Sequence, residues 1–128
     1  MKFARWVFGF AGVYGFLLVT PLYWMEGRVG HDYPPAIAHP EYFYGFIGVT
    51  LAWQLAFLLI ARAPSRHRPL MLASIAEKAV YGGSTIALFA SHRLNTTAFG
   101  FGLFDVFLGV LFVIAYRLTP DWLQPGVG

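Results

Sequence analysis

The sequence predicts an all-α integral membrane protein, a single domain built as an up-down bundle of four helices with both termini cytoplasmic. Three observations predict it. Hydrophobic residues make up 58% of the 128 residues and charged ones only 12%, with mean hydropathy +0.60, too apolar for a domain that meets water on every side. Apolar runs near the roughly 20 residues needed to cross a bilayer recur along the chain. The basic residues also fall unevenly: Lys2, Arg5, Arg62, Arg66, Arg68 and Arg117 share one side of such a topology, against Arg28 and Arg93 on the other.

That distribution explains the net charge of +3 as membrane orientation rather than nucleic-acid binding, which would need more basic residues interleaved with stacking groups. With no cysteine, disulfides, thiolate metal sites and thiol nucleophiles are excluded.

The first helix is expected over residues 3–24. A basic start before an apolar run resembles a cleavable signal, but the run from Trp6 to Trp24 has spanning length and ends in Thr20-Pro21-Leu22-Tyr23-Trp24 without a small-x-small pattern. Ala11, Gly12 and Gly15 permit close helix contact, and Tyr23 and Trp24 suit the headgroup region. Residues 26–40, with Gly27, Gly30, Pro34, Pro35 and Pro40, read as a long outer loop. His31, Asp32, His39 and Glu41 lack the i, i+4 spacing of a helical metal motif, so no metal is expected there.

The second helix is expected over 41–61, with Gly45, Gly48, Ala52 and Ala56 as its packing face and Gln54 as an amide bonding across to another helix. Arg62 to Pro69 is a basic turn bracketed by prolines. The third helix is expected over 70–90, the fourth over 98–117, and residues 119–128 form a cytoplasmic tail at the membrane surface or loose from it.

The third helix carries the chemistry. Ser74, Glu77, Tyr81, Ser84 and Ser91, with Leu88 filling the gap, repeat at three and four and give it a polar seam, while Ala98, Gly102, Asp105, Gly109, Phe112 and Tyr116 align on the fourth. At about 1.5 Å per residue, Gln54, Glu77 and Lys78 lie roughly 10 to 13 Å into the hydrocarbon and Asp105 roughly 16 to 18 Å. Lys78 is expected to reach Asp105. An ionisable residue at such depth costs about 2.5 to 3.5 kcal/mol on insertion scales, so each needs a partner, a cavity or a pathway. Glu77, Lys78 and Asp105 leave one surplus negative charge, which must be protonated, solvated or matched from outside, and this makes either carboxyl a candidate proton carrier. The predicted polar site is therefore Gln54, Glu77, Lys78, Tyr81, Ser84 and Asp105, enclosed by the second, third and fourth helices; an interhelical registry pair is the competing reading.

Other chemistries are argued against. All four histidines fall in loops or at helix ends, which excludes a bis-histidine membrane haem, and no phosphate-cradling glycine loop or serine-nucleophile motif is present. The sequence does not identify a cofactor.

Phe43-Tyr44-Gly45-Phe46-Ile47-Gly48-Val49, Ala52-Trp53-Gln54, Arg68-Pro69-Leu70-Met71-Leu72 and Glu77-Lys78 before Tyr81-Gly82 resemble small bacterial four-helix membrane proteins of unassigned function, over about residues 40 to 118. In helix count and size the chain is also similar to the DoxX-like group. The resemblance implies a bacterial inner membrane and no particular reaction. The functions that fit are a subunit of a larger membrane complex or homo-oligomer, or a binder of a lipophilic molecule such as a quinone or isoprenoid. Alternatives are an acid/base enzyme acting on a lipid and a small proton-coupled carrier working as an oligomer.

Overall fold

The apolar runs, the proline-marked turns and the capping residues act together in a computed structural model, which describes residues 2–121. Among these the regular elements are all helical: α1 (Lys2–Val19), a 3-10 turn (Thr20–Trp24), α2 (Glu26–Asp32), α3 (Pro40–Arg62), α4 (Arg68–Ala90) and α5 (Thr96–Leu118). Three segments are long and apolar enough to cross a membrane: Lys2–Trp24, Pro40–Arg62 and Thr96–Leu118. α4 matches α3 and α5 at 23 residues, but Glu77, Lys78 and the run Gly82-Gly83-Ser84-Thr85 interrupt its apolar character.

Local chemistry sets the boundaries. Pro21 has no N–H to donate and its ring crowds the carbonyl four residues back, so the α-helix stops at Val19 and the chain tightens into the 3-10 turn. The helix expected over 3–24 is therefore present as α1 continued by the 3-10 turn through Trp24. Pro40 and Pro69 stand in the first turns of α3 and α4, where a missing N–H costs no intrahelical bond. Asn95 caps α5 by accepting from the backbone N–H of Ala98 at 2.8 Å. α4 ends with His92 in the left-handed region at φ 59°, while the N–H groups of His92 and Arg93 donate back to Phe89 and Leu88.

The segment 26–40 also departs from expectation. Instead of a continuous loop it begins with α2, supported by Glu26 in its first turn and an Arg28–Asp32 ion pair at 3.5 Å. Gly30 is buried where an added Cβ would meet the Ala36 backbone at 3.1 Å. The Tyr44 hydroxyl donates to Glu26 at 3.1 Å and ties α2 to α3. Thr119, in the predicted tail, is buried and donates to Ala115; Trp122 to Gly128 lie outside the described residues.

α1 packs antiparallel on α3 and α4 antiparallel on α5; α1 also touches α5, and α3 meets α4 along a narrower contact. The basic ends come together. Arg5 donates to the carbonyl of Arg62 at the end of α3, and Arg68 donates to the carbonyl of Tyr116 with its guanidinium 3.8 Å from the Tyr116 ring centre. Cations placed on terminal carbonyls satisfy acceptors that the helices leave open.

Beside this basic end sits the core. Phe8 stacks on Phe112 with centroids 4.1 Å apart, Phe57 meets Phe112 edge-on at 5.0 Å, and Ile60, Met71, Leu108 and Ala115 close around them. The expected face of α3 is corrected here. Gly45 and Ala52 are exposed, and the buried residues are Ile47, Gln54, Phe57 and Ile60. The small residues that do set helix spacing lie elsewhere: a Cβ on Gly12 would overlap Leu58, one on Gly15 would overlap Gln54, and one on Gly102 would overlap Thr85. Large apolar side chains such as Trp6, Leu17, Val49 and Val80 point outward, as a lipid-facing surface allows.

Candidate functional site: a charged cavity floor

The inward faces change character halfway along the helices. At the basic end they present Phe8, Phe57, Met71 and Phe112; further on they present Ala11 and Gly15 on α1, Thr50 and Gln54 on α3, Lys78 and Gly82 on α4, and Gly102 and Asp105 on α5. Rings fill one half and small or polar residues leave the other half open. The result is a cavity of about 360 Å³, within the range that holds small ligands. Its walls include Val19, Leu22, Met25, Phe46 and Phe101, and its floor is Gln54, Glu77, Lys78 and Asp105. It is not sealed: Leu18, Phe46 and Phe101 line it and are 40%, 43% and 42% exposed.

Lys78 organises the floor. Gly109 lets the lysine stem lie against α5, since a Cβ there would stand 3.1 Å from the Cβ of Lys78. The ammonium donates to Asp105 Oδ1 at 3.1 Å, lies 3.7 Å from Glu77 Oε2 and sits 5.2 Å from the centre of the Phe57 ring. The lysine side chain is 7% exposed, with Asp105 at 16% and Glu77 at 20%. One cation thus faces two carboxylates, and only one of them is hydrogen-bonded to it. Glu77 Oε2 is buried and has no hydrogen-bond partner among the described residues.

Gln54 behaves differently from expectation. Its amide donates to Thr50 O at 2.9 Å within its own helix rather than across to another, because Gly15 lets the side chain fold back into the α1–α3 contact. The hydroxyls of α4 are similarly absorbed by their own helix: Ser74 donates to Leu70 O, Thr85 to Gly82 O and Ser91 to Ala87 O. Of the predicted site residues, Gln54, Glu77, Lys78, Tyr81 and Asp105 come together around the cavity. Ser84 does not, being exposed on another face of α4.

Sequence reasoning left out the contribution of α1. Tyr14 and Gly15 line the cavity, and Tyr14 packs edge-on against Phe104 at 4.9 Å. A phenol in the middle of an apolar run, far from the interfacial belt where tyrosines collect, was the available signal. On α3, Phe46 stacks on Tyr81 at 6.1 Å and closes the α3–α4 side of the cavity.

No relative names this site. Comparison with protein-family models, with curated proteins and with solved structures gives no match to this chain. The site is therefore read from its own chemistry: an apolar chamber floored by one ammonium shared between two carboxylates. His31 pairs locally with Asp32 and His39 with Glu41, and among the described residues no three His, Asp or Glu side chains gather as metal ligands would.

Proposed function

We propose that the chain is an integral membrane protein of the bacterial inner membrane, with α1, α3, α4 and α5 crossing as an up-down bundle and both termini cytoplasmic, and that it binds a lipophilic small molecule in the cavity between the helices. One observation carries the reading: apolar and aromatic walls enclose a floor on which one ammonium is shared between two carboxylates. A structural ion pair would be closed over by side chains. Here the floor borders open volume, and the exposed rim residues Leu18, Phe46 and Phe101 are ones that lipid-dissolved molecules meet.

α4 belongs in the bilayer because its charges are turned inward. Lys78 points to Asp105, so the cost of carrying ionisable residues across hydrocarbon is offset by pairing rather than avoided by composition. The clustering of Lys2, Arg5, Arg62, Arg66, Arg68 and Arg117 at one end supports a cytoplasmic position for that end.

Native mass spectrometry of the protein, released from its own membrane in mild detergent, tests the binding reading. The wild type carries a small apolar adduct, and Ala98→Trp, which fills the cavity from its α5 wall, loses it while remaining monodisperse. An adduct retained equally by both forms, or none on the wild type, refutes the reading; a tightly held second polypeptide in place of an adduct would make the chain a subunit of a larger assembly. Acid/base chemistry on the bound molecule is the second reading, favoured by the two carboxyl groups, Glu77 and Asp105, that line the cavity beside one ammonium. Appearance of an altered ligand with wild type and none with Glu77→Gln distinguishes it from binding alone.

A further inference from the structure

Resting on the binding reading above, we infer that the cavity takes an organic cation whose charged head carries no N–H of its own, a quaternary ammonium being the simplest case. Charge on the lining comes first. Among the described residues the cavity is lined by three charged side chains, Glu77, Lys78 and Asp105, so one positive charge faces two negative ones. The excess negative charge stands beside a chamber with apolar walls, where it is screened far less than at a surface wet by bulk water. A cation inside the chamber balances it and leaves every contact of the floor in place.

The form of the head follows from which atoms are free to meet it. Asp105 Oδ1 already accepts from Lys78, Glu77 Oε2 is buried against the same ammonium, and the Gln54 amide oxygen is packed against Gly15. A primary ammonium brings three N–H donors to a floor whose oxygens are taken, and unmet donors are costly. What the walls offer instead is ring surface. Tyr14 on α1, Phe46 on α3, Tyr81 on α4 and Phe101 on α5 bring one aromatic ring from each of four helices, with Phe46 stacked on Tyr81. Ring faces hold alkylated cations through their quadrupole and require no hydrogen bond. The same walls count against an inorganic cation: among the described residues no three His, Asp or Glu side chains gather, and rings do not replace its shell of oxygen ligands. An anion is repelled by the floor, and a neutral body gains nothing from its charge.

Four probes on one benzyl body separate these cases: benzyltrimethylammonium, its carbon isostere neopentylbenzene, benzylammonium and phenylmethanesulfonate. Tritium-labelled benzyltrimethylammonium is titrated against the intact protein in phosphatidylcholine nanodiscs, with empty nanodiscs as background and the other three as competitors. It is expected to bind at least about 10-fold more tightly than each of them, the effect of one uncompensated charge at short range in a partly buried site. The charge of the floor then sets the direction of change in variants. Glu77→Gln and Asp105→Asn each make the floor neutral and are expected to weaken the cation at least about 10-fold while leaving neopentylbenzene unchanged. Lys78→Met leaves two negative charges and is expected to tighten the cation; should that variant not fold, the other two decide.

Competition by neopentylbenzene or the sulfonate as strong as by the unlabelled cation overturns the inference, as does weaker binding of the cation by a folded Lys78→Met. Tighter binding of benzylammonium overturns the head without N–H. If charged and neutral probes bind alike and Ala98→Trp abolishes both, the cavity reading stands and the preference for a cation alone falls. No binding of any probe to the wild type overturns the preference too, and the adduct in the native mass spectrum then decides the binding reading separately.

Discussion

Replacing Lys78 with methionine removes the charge and keeps the length and shape of the side chain, so it isolates what the ammonium does. Lys78 is 7% exposed and its Nζ lies 3.1 Å from Asp105 and 3.7 Å from Glu77, which are themselves 16% and 20% exposed. Without it two carboxylates remain together at the bottom of an apolar chamber. Breaking a buried pair by deleting one partner costs about 3 to 5 kcal/mol, and the opening of the floor onto the cavity places this case near about 3.

Asp105→Asn is milder. The amide still offers an acceptor to Lys78, and Glu77 remains as the counter-charge, so the loss is the difference between a charge-assisted and an ordinary hydrogen bond, about 1 to 2 kcal/mol. Glu77→Gln deletes the longer of the two ion pairs, at 3.7 Å, leaves Asp105 on Lys78 and is expected to cost about 0.5 to 1 kcal/mol. The assay is unfolding by titration with a denaturing detergent in mixed micelles, followed by the emission of the four tryptophans. The expected order of loss is Lys78→Met, then Asp105→Asn, then Glu77→Gln. Equal losses for Lys78→Met and Glu77→Gln would show that the 3.7 Å pair matters as much to the fold as the Lys78–Asp105 hydrogen bond, and the ranking argued from the two distances would fail.

Glycine substitutions give a contrast set. Gly15→Leu collides with Gln54 and is expected to cost about 1 to 3 kcal/mol in the same unfolding assay, whereas Gly45→Leu, with nothing within 4 Å of an added Cβ, stays within about 0.5 kcal/mol. Phe8→Ala empties the centre of the aromatic core. Its expected cost is about 1 to 3 kcal/mol, below the roughly 3 to 5 seen in water-soluble proteins, because lipid solvates an exposed ring about as well as the interior does; a loss of that larger size would show that packing at the basic end dominates the fold. Arg5→Ala removes the donor to the α3 terminal carbonyl and is expected to lower the midpoint slightly, by about 0.5 to 1 kcal/mol, with the cavity's ligand unaffected in the native mass spectrum.

Much of the helical plan was legible because the bilayer imposes it. Apolar runs bounded by Pro40, the Arg62–Pro69 turn and Asn95 left little freedom for α3, α4 and α5, and the Lys78–Asp105 pair followed from two opposite charges set in largely apolar helices. Which face turns inward was harder. In water a buried face is marked by its hydrophobicity, but on α3 both faces are apolar, so Gly45 and Ala52 looked as suitable for packing as Ile47 and Phe57.

The partners of Gln54 and of the α4 hydroxyls were not readable either, since a side chain in hydrocarbon is satisfied equally well by a carbonyl one turn back as by another helix. The fold of α2 within a glycine- and proline-rich stretch is supported by the Tyr44–Glu26 bond from α3 and by Gly30 packing on the Ala36 backbone, neither of which a local helix pattern displays. The cavity itself comes from a property no single helix displays. Four inward stripes change from large to small residues at the same level.

The whole account depends on α4 crossing the bilayer with its charged residues inside. Because the chain contains no cysteine, single cysteines can be placed without background, one at Arg66 between α3 and α4 and one at Arg93 between α4 and α5. Labelling with a membrane-impermeant maleimide on sealed inverted and right-side-out vesicles is predicted to reach Arg66→Cys only from the cytoplasmic face and Arg93→Cys only from the opposite face. Labelling of both from the same face would mean that α4 does not cross, and that the charged floor does not lie within lipid.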